Sequence, residues 1–287
     1  MRACVVLAAT ACGGSSSSTS APPAPAPVAQ AWTCDRVAFA ESTPLAEASG
    51  AAWWDGALLV ISDSGNRGAF AIVDAETGET REQGTLPLGD TSDDFEGIDA
   101  RGGVLYGLVS SGFVYEWRRA GARFELVRAP YAIGDGDLVC DAKKFNCGKD
   151  YEGLCLVPRG SPHADARCTG FAASRKDGVL YCVIDAGGRL AIDRAHTIAV
   201  TERKQLADCA FDDRGGLWAG GNVFALDEVY RVERWCEPEH AEVAAIGAVG
   251  VGNSEVIAVR GDLVYRMSDT NTAPSLMAKF RCTRATK

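Results

Sequence analysis

Short apolar runs separated by Gly, Asp, Asn and Ser dominate this chain, and no long stretch repeats its apolar residues every 3.6 positions. In Trp53–Leu58 an Asp-Gly pair lies between two apolar runs, and in Asp212–Leu217 a Gly-Gly pair follows an acidic turn. Such pairs are typical of the tight turns that join two strands of a hairpin. The pattern therefore predicts an all-β protein.

One phrase occurs twice. Asp94–Ile98 reads Asp-Phe-Glu-Gly-Ile and returns as Asp-Tyr-Glu-Gly-Leu at Asp150–Leu154, and both copies precede a Val-Leu-Tyr run, at Val104–Tyr106 and Val179–Tyr181. Weaker copies extend the series, so that units recur at intervals of roughly 40 to 56 residues. The points taken as equivalent are Gly50, Gly97, Gly153, Cys209 and Ala248.

Each unit is interpreted as three or four short strands separated by Gly turns. The runs assigned to the third strand are Phe70–Val73, Phe113–Trp117, Leu190–Ile192, Val229–Val232 and Leu263–Arg266. A repeated unit of this size predicts a β-propeller, which leaves only short, protected strand edges. Five blades are predicted, with the alternative that a sixth is formed within the longer intervals or from the two chain ends.

The first residues are predicted to form a lipoprotein signal peptide, residues 1–12. A short apolar core, Val5–Ala9, leads into small residues and then Cys12, the predicted site of lipid attachment. Gly13 in place of Asp after this cysteine favours the outer membrane. The alternative is a cleaved secretory signal.

A Gly/Ser stretch that grades into a Pro/Ala spacer follows, at residues 13–31. Such a composition cannot bury a core and behaves as a flexible tether. The propeller domain is predicted over residues 32–287. No later run approaches the ~20 apolar residues of a membrane-spanning helix.

The cysteine content supports export. The chain has 11 cysteines, a density that is typical of an oxidising compartment. Local spacing favours a Cys140–Cys147 bond, and a Cys34–Cys282 bond would close the ring of blades. The other tentative pairs are Cys155 with Cys168 and Cys209 with Cys236, and Cys182 is the expected free thiol. A zinc site has little support, because no C-x-x-C motif is present.

The net charge of the chain restricts the classes of molecule that it is expected to bind. The net charge of −9 argues against nucleic acid. The expected partners are the membrane, through the lipid anchor, and a small-molecule or protein ligand, with the chain itself a monomer. The predicted location is the outer membrane, facing the periplasm or the cell surface.

These motifs carry a resemblance to a known family. Ser62–Asn66 (Ser-Asp-Ser-Gly-Asn) after a first hairpin, followed by the two Asp-aromatic-Glu-Gly phrases, resembles the SdiA-regulated and phytase-like ("esterase-like activity of phytase") exported β-propellers. The resemblance covers roughly Ala48 to Arg266. It implies a propeller fold and, by the phytase-like name, a hydrolytic activity that uses calcium.

Acidic residues in the repeated phrase are the candidate chemistry. The innermost strands of a propeller line a central channel, so Glu96, Glu152 and Asp208 are predicted to converge at one mouth, with Asp94 and Asp150 on the same side. Oxygen donors in this arrangement suit Ca²⁺. The alternative is structural, in which each acid accepts backbone N–H groups of an adjacent blade.

Two functions follow from these patterns, with a scaffolding role in the envelope as a third. The first is a binding module on the cell envelope that is not an enzyme; no G-x-S-x-G motif is present, and no catalytic residue is assigned. The second is a Ca²⁺-dependent hydrolase of lactonase, phosphoesterase or phytase type.

Overall fold

The computed structural model describes residues 31–202, 205–222 and 226–285, and these form five antiparallel sheets and two short 3₁₀ helices, Gly136–Leu138 and Pro238–His240. The five sheets are the blades of a β-propeller, as the repeat predicts. Within the described residues no helix is long and apolar enough to cross a membrane. The predicted signal peptide, including Cys12, and residues 13–30 of the predicted tether lie outside the described residues.

The strands follow the chain blade by blade. Blade 1 contains β3 (Ala48–Trp54), β4 (Ala57–Ser62), β5 (Ala69–Val73) and β6 (Thr80–Thr85). Blade 2 contains β7 (Phe95–Arg101), β8 (Val104–Val109), β9 (Phe113–Ala120), β10 (Arg123–Leu126) and the short β11 (Tyr131–Ala132), which also pairs with β9. Blade 3 contains β12 (Tyr151–Leu156), β13 (Gly170–Ser174), β14 (Val179–Asp185) and β15 (Leu190–Ala199).

The last two blades complete the ring. Blade 4 contains β16 (Leu206–Phe211), β17 (Leu217–Gly221), β18 (Glu228–Glu233) and β19 (Glu242–Ala248). Blade 5 contains β20 (Ser254–Arg260), β21 (Leu263–Ser268), β22 (Ser275–Arg284) and, as its outer strand, β1 (Trp32–Val37), while β2 (Ser42–Thr43) also pairs with β22. Both ends of the described chain therefore build the fifth blade, and the alternative of a sixth blade made from them is wrong.

Hydrophobic residues fill the wedges between blades. Between blades 1 and 2 the rings of Phe95, Tyr115 and Trp117 contact one another, with centroids 4.9 to 5.6 Å apart. Between blades 3 and 4 the ring of Trp235 lies 4.8 Å from that of Phe211 and 6.0 Å from that of Phe171. Edge-on and offset aromatic packing of this kind fills a tapering space between twisted sheets.

The innermost strands approach one another most closely at the glycines of the repeated phrase. A Cβ atom at Gly97 would lie 2.3 Å from the backbone N of Leu154, and one at Gly153 would lie 2.6 Å from Cα of Asp208. Only a residue without a side chain fits such a contact. The glycines therefore set how near the blades come to the axis.

Every innermost strand also has a β-bulge at the same point. The pairing shifts between Ala48 and Gly50 in β3, and the equivalent shifts occur at Phe95/Gly97, Tyr151/Gly153, Leu206/Asp208 and Ser254/Val256. A bulge inserts one extra residue and redirects its side chain. The extra residues are Ser49, Glu96, Glu152, Ala207 and Glu255.

The bulges correct the repeat inferred from sequence. Cys209 and Ala248 are not equivalent to Gly97; Asp208 and Val256 are. Ala248 ends the outer strand of blade 4, so the fifth unit starts later than predicted. In the same way Leu190–Ile192 lies in a fourth strand and Leu263–Arg266 in a second strand, not in third strands. Val179–Tyr181 lies in a third strand, whereas Val104–Tyr106 lies in a second.

Four disulfides join the described chain. Cys34–Cys282 and Cys140–Cys147 are present as expected, whereas the other two predicted pairings are wrong. Cys155 pairs with Cys209, since the innermost strands β12 and β16 place their Cα atoms 5.5 Å apart, and Cys168 pairs with Cys182. The expectation that Cys182 is the free thiol is therefore wrong, and Cys236 is the free cysteine among the described residues. Four disulfides indicate an oxidising environment, as in exported proteins.

The Cys34–Cys282 bond is predicted to be the most stabilising of the four. It joins β1 to β22 across 248 residues of sequence, so its removal should lower the free energy of unfolding by about 5 kcal/mol. The matched control, Cys140→Ser with Cys147→Ser, opens a bond across 7 residues and should lower it by about 2 kcal/mol. Denaturant unfolding of the two double variants measures the difference. Equal losses would contradict this account of closure.

Candidate functional site

One end of the channel is built from the same backbone pattern in all five blades. The residue after the second strand donates its N–H to the carbonyl of the residue that precedes the innermost strand, at N···O distances of 2.8 to 3.1 Å. The five pairs are Asp63 with Glu47, Ser110 with Asp94, Arg175 with Asp150, Asn222 with Gln205, and Asp269 with Asn253. Together with the bulged residues they line this end, which we call the acidic mouth.

The acidic mouth is strongly unbalanced in charge. More than half of its positions carry a carboxylic acid, and Arg175 is the single basic residue among them. The acids are Glu47, Asp63, Asp94, Glu96, Asp150, Glu152, Glu255 and Asp269. Because a fold gains nothing from placing like charges together, this concentration marks a candidate functional site.

Three glutamates meet at the centre of the acidic mouth. Glu96, Glu152 and Glu255 come from three different blades, are buried, and each offer a carboxylate oxygen within 4.8 Å of the others. We call this set the glutamate triad. The bulges of β7, β12 and β20 point the three side chains to one place, because each glutamate is the extra residue of its strand.

Few hydrogen-bond donors contact the carboxylates of the glutamate triad. Ser49 donates its hydroxyl to Glu96 Oε2 at 2.7 Å, and Asn222 Nδ2 donates to Glu255 Oε1 at 3.3 Å. Arg175 forms ion pairs with Glu152 and with Glu255, the latter at 3.0 Å. Oε1 of Glu152 has no hydrogen-bond partner among the described residues, although the side chain is only 1% exposed. One carboxylate oxygen is therefore buried and unsatisfied at the centre of the site.

A second group of acids shares Glu96 with the triad. Asp63, Asp94 and Glu96 also offer oxygens within 4.8 Å of one another. Asp94 accepts a hydrogen bond from the Ser110 hydroxyl, and the backbone N–H of Asn146 donates to Ser110 Oγ at 2.9 Å. Asn146 lies in the loop closed by Cys140–Cys147, so this disulfide loop packs against one side of the acidic mouth.

Loss of solvation dominates the electrostatics of these acids. Burial raises the pKa of Glu96 and of Glu152 well above the ordinary range; for Glu96 the charge of Glu152 adds to the rise, and for Glu152 the nearby Arg175 opposes it. Burial also raises the pKa of Glu255 and of Asp63 to about 7. Without a bound cation these groups therefore retain protons at a pH where free carboxylic acids are ionised.

The structure brings together only part of the set predicted from sequence. Glu96 and Glu152 lie side by side, Asp94 belongs to the second group, and Asp150 lies beside them outside both groups. Asp208 does not join them, because it occupies the glycine position of the repeat rather than the bulge. Its carboxylate accepts the backbone N–H of Ile257 at 2.9 Å and that of Cys209 at 2.7 Å, which links blade 4 to blade 5.

Sequence reasoning missed Glu255 and the site role of Asp63. Glu255 lies one residue before the position at which the inner strands approach each other most closely. That position holds Val256 instead of glycine, so the Glu-Gly phrase cannot be recognised there in the sequence. Asp63 belongs to the Ser62–Asn66 turn. Asn66 stabilises this turn, since its Nδ2 donates to the carbonyls of Asp63 and Ser64 at 3.1 Å.

The opposite end of the channel has a different chemistry. All five blades contribute to an open cavity of about 270 Å³ whose walls include Trp53, Leu156, Phe211 and Val259, with Asp99 and Arg260 also lining it. We call this cavity the funnel. Asp99 accepts the backbone N–H of Leu156 at 2.6 Å, and burial raises the pKa of Asp99 to about 7. The close approach of the inner strands at the glycines lies between the funnel and the acidic mouth.

Comparison with known proteins supports the fold. No protein-family model and no curated protein matches the chain. Among solved structures, a glutaminyl cyclase from Myxococcus xanthus is similar with a TM-score of 0.55 and 15% identity, over 88% of this chain and 99% of that one. A luciferin-regenerating enzyme is similar with a TM-score of 0.52 and 10% identity, over 87% and 95% of the two chains.

A weaker likeness is to the calcium-binding protein regucalcin from Agrobacterium tumefaciens, with a TM-score of 0.44 and 12% identity, over 85% of this chain and 97% of that one. At these identities the first two likenesses establish a shared fold and nothing more. The chemistry of this chain therefore has to be argued from its own residues.

The raised pKa values predict an unusual pH dependence for the protein in EDTA. A carboxyl group whose pKa is raised to about 7 in the folded state binds a proton that the unfolded state has already released above pH ~4.5, so stability is lost as the pH rises through this window. For Glu255 alone the loss is on the order of 3 kcal/mol. Thermal unfolding should give a higher Tm at pH 5 than at pH 8, and the reverse order would contradict the description of the site.

Proposed function

We propose that this protein is an exported β-propeller that acts as a binding module and holds a divalent cation, Ca²⁺, within the glutamate triad. One observation carries the proposal: three buried glutamates from three blades place oxygens within 4.8 Å of one another, and Oε1 of Glu152 has no hydrogen-bond partner among the residues that the structure describes. A buried polar oxygen without a hydrogen bond is unfavourable unless something else satisfies it.

The charge of the site supports a divalent ion. The three ionised glutamates carry three negative charges and Arg175 supplies one positive charge, which leaves two to be balanced. Protons can balance them at low pH, as the raised pKa values of these groups indicate. Above neutral pH a divalent cation balances the two remaining charges of the triad.

The donor set favours Ca²⁺ over softer metals. Ca²⁺ takes six to eight oxygen ligands at ~2.3–2.6 Å in a flexible geometry. The triad offers carboxylates only, and the Ser49 hydroxyl beside Glu96 is a further oxygen. Within the described ranges, the residues that hydrogen-bond to the triad or form ion pairs with it include no cysteine or histidine, the ligands that favour zinc and copper.

A role as a binding module accounts for the position of the ion. The acidic mouth lies at the end of the ring where loops from several blades meet, and loops on a rigid scaffold are where binding surfaces occur. The ion would fix these loops and present its open coordination positions to a ligand. The lipid anchor at Cys12 and an outer-membrane location are further parts of the proposal, as is membership of the SdiA-regulated or phytase-like propellers.

A second candidate is a Ca²⁺-dependent hydrolase, favoured by the second acidic group. Asp63 is only half-buried and shares Glu96 with the triad through that group, so it would lie beside a bound ion. A carboxylate beside a cation can orient a water that attacks an ester or phosphoester. Turnover of such a substrate that requires Ca²⁺ would distinguish this candidate from the binding module.

Calcium is predicted to stabilise the folded protein through the glutamate triad. At a concentration 100 times its Kd, an ion that binds only the folded state adds about 2.7 kcal/mol to the free energy of unfolding. For a domain of this size that corresponds to a rise in Tm of roughly 5 to 10 °C. Glu152→Gln should abolish the rise, and isothermal titration calorimetry should show the same loss of binding.

Two control variants locate the site. Glu125→Gln, on the exposed face of β10, should leave both the Tm and the calcium effect unchanged. Asp208→Asn should lower the Tm, because it weakens the link to Ile257, yet keep the calcium-induced rise. An unchanged Tm of the metal-free wild type on addition of Ca²⁺ would refute the proposal.

The lipid anchor is tested at Cys12. In a Gram-negative host the full chain should fractionate with membranes and incorporate labelled palmitate, and Cys12→Ser should abolish both. Cys4→Ser is the matched control and should behave as the wild type. Membrane association that survives Cys12→Ser would contradict the anchor.

A further inference from the structure

The funnel has an aromatic wall that is held in a fixed orientation. Trp53 donates its Nε1–H to the carbonyl of Val259 at 2.9 Å, and its ring meets that of Tyr265 edge-on at 5.6 Å. Phe211, Leu156 and Val259 complete an apolar lining around it. A concave cavity that combines apolar walls with a limited set of charged groups, open at one end, is a common form of a small-molecule site.

The face of Trp53 already holds a cation. The guanidinium of Arg260 lies 5.0 Å from the centre of the indole ring, while the side chain is otherwise exposed. A positive charge is attracted to the face of an aromatic ring, most strongly to tryptophan. Arg260 therefore occupies the position that the charged group of a ligand would take, and its side chain is exposed rather than packed in the core.

The remaining charged residues of the funnel are acids. Asp99 lies on the wall close to the axis, and Asp55 and Asp213 lie at the rim, whereas Arg260 is the single basic residue among the described residues that line the cavity. Asp212 also lines the cavity, but Arg231 pairs with it at 3.1 Å. The exposed acids Asp55 and Asp213 therefore make the local charge negative around an aromatic wall.

We propose that the funnel binds a small organic cation, an ammonium group carried on an apolar body, with the cationic head against Trp53 and near Asp99 and the apolar body against Phe211 and Leu156. Binding displaces Arg260 from the indole face. An anionic ligand is disfavoured by the acids, and a neutral ligand would leave the Trp53 face without the cation it now holds.

This inference does not depend on the calcium site. Within the described part of the chain, the residues that line the funnel include none of those that line the acidic mouth, so the two sites are distinct. A ligand in the funnel therefore has no contact with the glutamate triad. Failure of one proposal leaves the other standing.

The test compares two probes of the same shape that differ in charge, choline and 3,3-dimethylbutan-1-ol. Isothermal titration calorimetry in the presence of Ca²⁺ should show that choline binds at least roughly tenfold more tightly than the neutral alcohol. Arg260→Gln should increase the affinity for choline roughly threefold, because it removes the competing guanidinium. Trp53→Leu should abolish binding.

Matched variants separate this site from other acids and cations. Arg189→Gln removes a guanidinium that lies 5.1 Å above Tyr131, elsewhere on the propeller, and should leave choline binding unchanged. Glu152→Gln should also leave it unchanged, which excludes binding at the acidic mouth. No measurable binding of choline, equal affinity for the two probes, or weaker binding by Arg260→Gln would each overturn the inference.

Discussion

The close contact of the innermost strands is the constraint on which the rest of this structure depends. At Gly97 and Gly153 the backbones of neighbouring blades approach so closely that a methyl group would not fit. This contact draws the blades towards the axis and places the bulge of each strand just beside it. Whatever side chain occupies a bulge must then share a small volume with those of the other blades.

The glutamate triad is a consequence of this geometry. Three bulges carry glutamate, while the other two carry Ser49 and Ala207, which are small enough to leave room. Burial of three acids is electrostatically unfavourable, and Arg175 offsets only part of it. A group of residues that makes folding less favourable is where a function is expected. Substitutions that raise stability are otherwise easy to find, so an unfavourable group indicates that it serves another purpose.

The two ends of the channel differ because strand direction separates their residues. The bulges lie where the innermost strands begin, so the acids collect at that end. The other end collects the residues that close the first hairpins, such as Trp53 and Arg260, and these are aromatic and mixed in charge. One ring of blades therefore provides two cavities with different chemistry, and closure of the ring through β1 and Cys34–Cys282 holds both in place.

The sequence by itself determined the architecture and two of the three residues of the triad. The repeated Asp-aromatic-Glu-Gly phrase is local, so it identified Glu96 and Glu152, and the spacing of cysteines at the chain ends identified the bond that closes the ring. Only the tertiary structure decided that Glu255 completes the triad and that Asp208 links two blades instead. It also decided that Cys155 meets Cys209. The physical reason is that a strand register differing by one residue sends a side chain to another face, and register is set by pairing with distant strands rather than by neighbours along the chain.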